Sequence, residues 1–265
     1  ILPAHNIETP DGVRNIFHPD LADWWETLSI PSLEAIRVAA ELDNISFAQR
    51  QKGRFELALY QLAAKDTRVP LLAQLPGIGA LSAITILGAI GTIDRFPNAQ
   101  KLVGYAGLGA GVHSSGESHR TGRITKTGRR DLRRVMIDAA GKAIRFHGRW
   151  RESYERLEPR IGKSKAKVAI ARKMLVAVWH ILTKEEVDKY ADPVQVACAL
   201  FALAYQLGVR NLPEGRSAKE FTRHHLDRMK IGREIKVIPW GSKRHTLPPS
   251  TLKPEEVVAV QTADP

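Results

Sequence analysis

Cysteine is nearly missing from this chain of 265 residues: only Cys198 occurs. A lone cysteine excludes an intramolecular disulfide and any zinc site built from cysteines, and it predicts a reducing compartment. No run of 18 or more apolar residues exists, so no membrane span is expected. Nowhere do four carboxylates gather as a two-metal site requires. Asp20 and Asp23 stand three apart in a proline-rich, irregular stretch and read as surface residues. Internal repeats of useful length are lacking too. The opening Ile1-Leu2-Pro3 is neither a signal peptide nor an initiator methionine, which predicts that the chain is part of a longer protein.

What is present is positive charge. The formal net charge is +12 and the isoelectric point is near 9.9, with an ordinary 43% of apolar residues. Between Arg120 and Lys173 there are 18 Lys/Arg against 5 Asp/Glu, a net +13 that accounts for the whole excess. Scattered cations make a solvated face. Concentrated beside glycine-rich turns, they predict a polyanionic partner. A basic helix lying on a membrane surface fits less well, because the segment has no large aromatic face.

Helical periodicity dominates the chain, and the expected fold is mainly α. Residues 1–66 read as an irregular segment followed by a long helical, coiled-coil-like linker. Pro3, Pro10, Gly12, Pro19 and Pro31 punctuate the first part around a Trp24-Trp25 anchor, and Ser32 is a candidate cap. Leu33, Ile36, Ala40, Phe55, Leu59 and Leu62 then recur at helical spacing, while Asp43, Asn44 and Gly53 allow a bend. A narrow stripe of this kind predicts a helical pair, in cis or across a dimer. Residues 67–187 read as one domain with a helix-hairpin-helix element. It runs from a short helix over Pro70–Gln74 through a turn to an apolar helix over Ala80–Ile90, with Gly91 as C-cap. A short helix over Ala99–Ala106 follows, then a glycine-rich loop or hairpin from Gly107 to Gly128. Thr127 is the expected cap of an amphipathic helix whose core face is Leu132, Val135, Met136, Ala139, Ala140 and Ala143. Gly162–Lys167 reads as a flexible basic link to a helix carrying Val168, Ala171, Leu175, Val178 and Leu182. Residues 188–265 read as an apolar helix over Asp192–Leu207 and a helical or irregular, basic, proline-bearing extension.

Two motifs carry chemistry. In Leu75-Pro76-Gly77-Ile78-Gly79, Gly77 and Gly79 free the backbone so that consecutive N–H groups can face one phosphate at a helix N-terminus. The residues alone leave an ordinary tight turn between helices equally open. A β-branched residue at either glycine is expected to weaken DNA binding more than folding. In the Ser114-Ser115-Gly116 loop a serine hydroxyl could attack a phosphodiester if helped electrostatically. Arg120, Arg123, Lys126, Arg129, Arg130 and Arg133 follow closely, with Lys163 and Lys165 further on. A simple turn-forming serine pair explains the same residues. Glu117 is a candidate base, and His113 and His119 lack the third ligand that a metal would need.

Taken in order, Leu75-Pro-Gly-Ile-Gly79, Gly91-Thr-Ile-Asp-Arg-Phe96, Leu102-Val-Gly-Tyr-Ala-Gly-Leu108, Ser114-Ser-Gly116, Gly122-Arg-Ile-Thr-Lys-Thr-Gly128 and Leu132-Arg-Arg134 resemble the C-terminal half of the insertion-sequence-110 family of transposases, which includes the Piv DNA invertase. A weaker likeness extends to Ala169-Ile-Ala-Arg-Lys-Met-Leu175. Ala110 departs from it, standing where the family commonly has proline. The resemblance implies a site-specific recombinase acting on insertion-element DNA, with Ser115 as nucleophile and Ser114 as its neighbour. It further implies Mg²⁺ held by an acidic Asp-Glu-Asp-Asp domain missing from this chain, an element-encoded guide RNA, and a homo-oligomer. No metal or other cofactor is expected within the chain, which alone is expected to be inactive. Its expected place is the cytoplasm of a bacterium or archaeon, on the nucleoid when bound to DNA. A non-catalytic DNA-binding module left by truncation and a structural RNA-binding protein are the alternatives.

Overall fold

The computed structural model describes residues 2–115, 118–258 and 260, with side chains except at 3, 4, 19, 22, 110, 112–115 and 118–123. Mainly α architecture is what it shows: ten α-helices and two small antiparallel hairpins among the described residues. The chain divides into two units, residues 1–58 and 59–265.

The first unit contains a short helix, α1 (Ala22–Glu26), and most of a long one, α2 (Ser32–Lys65). Its irregular start is fastened by Trp25, whose indole N–H donates to the Ile16 carbonyl at 2.8 Å and whose ring stacks on Phe17. Asp20 and Asp23 are exposed. Helix α2 runs unbroken through Asp43, Asn44 and Gly53, because one glycine costs a helix only about 1 kcal/mol relative to alanine. Leu33, Ile36, Phe47 and Phe55 remain exposed along it, with no helix of this unit covering them among the described residues.

The second unit begins with the last turns of α2, where the buried residues are Ala63 and Ala64 rather than the expected Leu59 and Leu62. Next come α3 (Arg68–Ala73), α4 (Ala80–Ile90) and α5 (Ala99–Tyr105). Asn98 caps α5 by accepting from the Lys101 N–H at 3.1 Å, and Gly91 ends α4 with φ +67. Strands β1 (Ala110–Ser115) and β2 (Ser118–Ile124) form a hairpin. Helices α6 (Arg130–Phe146), α7 (Gly148–Ile161) and α8 (Lys163–Lys184) follow with minimal joints. Thr127 does not cap α6, which starts three residues later. The basic link expected over Gly162–Lys167 is Gly162 alone: Lys163 already belongs to α8, and the completely buried Ala166 ties its first turn to the core.

Helix α8 lies at the centre, with α3, α5, α6 and α7 packed on it. Helix α9 (Pro193–Leu207), capped by Asp192, packs on α3 and α4. The segment after Gly208 is more ordered than its polar composition predicts. It holds α10 (Ala218–Arg228), started by a Ser217/Glu220 capping box, and a hairpin of β3 (Val237–Trp240) and β4 (Lys243–Thr246). Phe221, Leu226, Ile238 and Leu247 from this segment join the same hydrophobic core as α4, α6 and α8. Buried Arg223 fastens it by donating to the carbonyls of Pro248 (2.9 Å), Gly232 (3.0 Å) and Ile235.

His225 on α10 is buried beside Phe221, and its Nδ1 has no hydrogen-bond partner. Burial, with a smaller contribution from His224, holds its pKa at about 3 against an ordinary 6.5. The unfolded chain therefore takes up a proton as pH falls through 6.5, and the folded chain does not until about 3. Stability should be level above pH 6.5 and fall steadily below it. In urea unfolding followed by circular dichroism from pH 7 to pH 4, His225→Leu should make that fall shallower. His147 and His224, whose pKa values burial also lowers, add to the fall, and toward pH 4 so do Asp66, Asp131 and Glu220, whose pKa values hydrogen bonds lower. An unchanged slope in His225→Leu would exclude His225 as its source.

Candidate nucleic-acid interface

The turn between α3 and α4 is shaped by what it touches. Leu75 and Ile78 are buried and point inward, and the Ile78 N–H closes the turn on the Leu75 carbonyl at 3.2 Å. Gly77 has φ +82, which disfavours any side chain, and a Cβ there would sit 2.6 Å from the Ala139 carbonyl oxygen of α6. A Cβ on Gly79 would sit 2.6 Å from Oε1 of Gln206 on α9. That same Gln206 oxygen accepts the Ala80 N–H at 3.0 Å, satisfying one of the free donors at the start of α4. The close backbone approach that these glycines permit is thus, in this structure, an approach to α6 and α9. Beside the turn lies an open groove of about 370 Å³, lined in part by Ser82 of α4 and Lys142 of α6.

A second basic group surrounds the start of α6. The β1–β2 hairpin is rooted there by backbone bonds from Thr125 to Gly109 (3.0 Å), Lys126 to Gly107 (3.3 Å) and Arg129 to Tyr105 (2.8 Å). Its register pairs Ser115 with Ser118, Ser114 with His119 and His113 with Arg120. Ser115 is the last residue of β1. The side chains of Ser115, Ser114, His113, His119, Arg120 and Arg123, and all of Gly116 and Glu117, lie outside the described residues.

The cations near this root divide into two kinds. Arg129 is ion-paired with Asp131 through two hydrogen bonds of 3.0 and 2.6 Å, and the guanidinium holds that carboxylate down at about 2. Arg133 donates to the Ala106 carbonyl at 3.0 Å and so ties the end of α5 to α6. Lys126, Arg130 and Arg134 are exposed and have no carboxylate within 4 Å among the described residues. Lys163 and Lys165 sit in the first turn of α8, likewise exposed. They do not adjoin Arg130. Lys167 packs against Gly141, 11 residues along α6, which at 1.5 Å per residue is roughly 16 Å away. Arg134 ends the Leu132-Arg-Arg134 motif without being marked there as a DNA contact, and Lys142 lies outside every motif, its one signal being a place on the exposed side of α6.

Among the described residues no three His, Cys, Asp or Glu side chains stand close enough to hold a metal ion. What the arrangement offers is unpaired positive charge in two places on one helix. One lies beside the glycine turn and the other beside the serine hairpin. Spaced cations of this sort suit a phosphodiester backbone.

Comparison with known proteins decides the affiliation. Residues 69–155, from α3 into α7, match the family described as Transposase IS116/IS110/IS902. This segment belongs to that transposase family. The chain is 28% identical over 141 residues to the transposase for insertion sequence element IS1111A of Coxiella burnetii, covering 51% of this chain and 38% of that protein. It is 35% identical over 121 residues to the pilin gene-inverting protein of Moraxella bovis, covering 43% and 37% respectively. A 43.6 kDa protein of the IS110 element of Streptomyces coelicolor matches at 26% over 161 residues, 59% of this chain and 40% of that one. The chain thus spans about two-fifths of the length of these relatives. The transposase segment contains the glycine turn, the serine hairpin and all of α6, whereas Lys163 and Lys165 fall beyond it.

The packing of the turn reverses the expectation for its first glycine. Gly77→Val should destabilise the fold itself, since it combines a positive φ with a Cβ pressed on the α6 backbone. The expected loss is about 2 kcal/mol or more in urea unfolding. At Gly79 the obstacle is the movable end of Gln206, so Gly79→Ala should cost less than Gly77→Ala. Equal stability of Gly77→Val and the parent chain would refute this packing.

Proposed function

We propose that this chain is the DNA-engaging part of a transposase or site-specific recombinase, with Ser115 as the nucleophile that takes one DNA strand. The observation that carries the reading is the rooting of the Ser115 hairpin, inside a transposase-family segment, beside Lys126, Arg130 and Arg134. In the proposed step the Ser115 Oγ attacks a phosphodiester phosphorus. An O–P bond to serine forms, the P–O bond to the leaving strand breaks, the serine proton departs to solvent or a base, and the freed strand oxygen is protonated. Bond energy is kept in the phosphoserine link, so a strand hydroxyl can reverse the step without an external energy source. Arg130, Arg134 and Lys126 lie at the root of the hairpin, five residues along β1 from Ser115, and would hold phosphates further along the same strand.

The Mg²⁺ that the family resemblance implies has no fitting set of ligands among the described residues, and no step runs through it. In this proposal it belongs to an acidic domain outside the chain, and the chain alone is inactive. A guide RNA encoded by the element, a homo-oligomer that brings two strands together, and a place in the cytoplasm on the nucleoid complete the reading. The glycine turn and Lys142 would contact DNA at a second point. Since Gln206 already accepts the Ala80 N–H, that contact falls to Lys142 rather than to Ala80.

Binding of duplex DNA should weaken linearly in a plot of log affinity against log salt concentration. Substituting Lys126, Arg130 and Arg134 together by alanine should reduce the slope by about 2–3, at about 0.9 for each phosphate no longer neutralised. A flat salt response of the parent chain would remove the DNA-binding reading.

For the serine, the decisive assay traps the covalent protein–DNA adduct in the complete enzyme and maps the modified residue. Ser115→Ala should abolish adduct and strand cleavage with duplex affinity nearly unchanged, while Ser114→Ala retains activity. An adduct on another residue, or cleavage by Ser115→Ala at the parent rate, would leave a DNA-binding module without this nucleophile.

A further inference from the structure

A cavity of about 860 Å³ lies between α7, α8 and the segment 186–190, and it shares no lining residue with either basic group. That volume falls in the about 300–1,000 Å³ range of small-ligand sites. Its floor is apolar, made chiefly of Leu157, Val176, Ala177, Ile181 and Val187. Its rim is cationic. Arg172, Lys173, Lys184 and Lys189 all line it, and none has a carboxylate within 4 Å among the described residues. Of the two lining carboxylates, Asp188 is already paired with Arg149 at 3.0 Å, leaving Glu186.

Arg149 builds the wall. Its guanidinium lies 3.7 Å from the centre of the Tyr190 ring and 4.8 Å from that of Trp150, with Asp188 on its Nη1. The Asp188 N–H donates to Oε1 of Gln74 at 2.7 Å, which pins the wall to the residue just before the glycine turn. The cavity is therefore framed by fixed bonds. Cations gathered around an apolar floor repel one another, and an anion with an apolar body relieves that cost. Burial and the nearby Arg156 and Arg149 already depress the Lys173 ammonium below its ordinary value.

We propose that this cavity receives an unpaired nucleotide of a nucleic-acid strand, its base on the apolar floor and its flanking phosphates on Arg172, Lys173 and Lys189. A base held in a duplex cannot present its flat face to such a floor, so the site selects unstacked, single-stranded nucleotides. The inference shares with the proposed function its nucleic-acid partner, but it depends on neither Ser115 nor the glycine turn.

The test uses the full chain and fluorescence anisotropy with short labelled oligo(dT), oligo(U) and duplex DNA. Arg172→Ala with Lys173→Ala should weaken single-strand binding by about tenfold or more, and duplex binding by less than about threefold. Ala177→Phe fills the floor without changing charge and should weaken single strands by a similar factor. Ala169→Leu does so if Ala177→Phe fails to fold by circular dichroism. The two oligonucleotides distinguish DNA from RNA as the source of the strand. Parent-like single-strand binding by folded cavity-filling variants would overturn the proposal, as would equal losses for duplex and single strand or equal competition by an acidic peptide. If duplex binding fails in the parent while single strands still depend on the cavity, the proposed function falls and this site stands.

Discussion

The second unit depends on how closely backbones can approach α6. Ala139, Ala140 and Ala143 present almost no side chain on its buried face, and Gly141 presents none beside Lys167. Short side chains let the glycine turn rest directly on the Ala139 carbonyl and let α8 lie against the same helix. The two approaches fix one loop and one helix against a rigid rod. The end of α5, from which the chain passes into the serine hairpin, is fixed to the start of that rod by the bond from the Arg129 N–H to Tyr105 and by the Arg133 side chain on Ala106. The glycine turn, α8 and the serine hairpin thus take their positions from a single helix.

That geometry explains how a segment with a net charge of +13 folds at all. Its cations are divided between structural and free ones. Arg129, Arg133 and Arg149 direct their charge to Asp131, to a carbonyl and to Asp188. Lys126, Arg130, Arg134, Lys163 and Lys165 point to solvent, where water screens their mutual repulsion. The repulsion is tolerable because the other face of each helix is buried completely: Leu132 and Met136 on α6, Ile170, Met174 and Leu175 on α8. Self-repulsion on one side is offset by hydrophobic burial on the other, and a polyanion would relieve what remains.

The sequence makes much of this legible, and the parts it hides share a cause. Helix α6, with its clean apolar stripe, can be read within a few residues because burial follows the 3.6-residue period, and α4 and α9 can be read from their nearly continuous apolar content. Gly162 is legible as a break, but the lysines after it suggest a link. Ala166, too small to signal a core position by hydrophobicity, makes that stretch helical. On α2 the large residues Phe55 and Leu62 dominate the pattern, and the small Ala63 and Ala64 make the contact. The segment after Gly208 looks irregular because its core residues are separated by charges. Arg223, which organises it, reads as a surface residue until three carbonyls are seen around it. Small residues and a buried arginine are what residue-type patterns describe least well.

The glycine turn carries a further point about motifs. Read as a string, Leu75-Pro-Gly-Ile-Gly79 asks for a ligand, because two glycines permit a backbone to come close to something. In the fold that something is α6 for Gly77 and Gln206 for Gly79. The glycines are accounted for by packing before any phosphate is invoked, so they add no independent support for a nucleic-acid partner. The support lies instead in groups that packing leaves unexplained. Lys126, Arg130 and Arg134 have no carboxylate beside them among the described residues, and Arg172, Lys173 and Lys189 surround a cavity whose floor is apolar. Charge that the fold does not use internally is the feature that asks for a partner outside it.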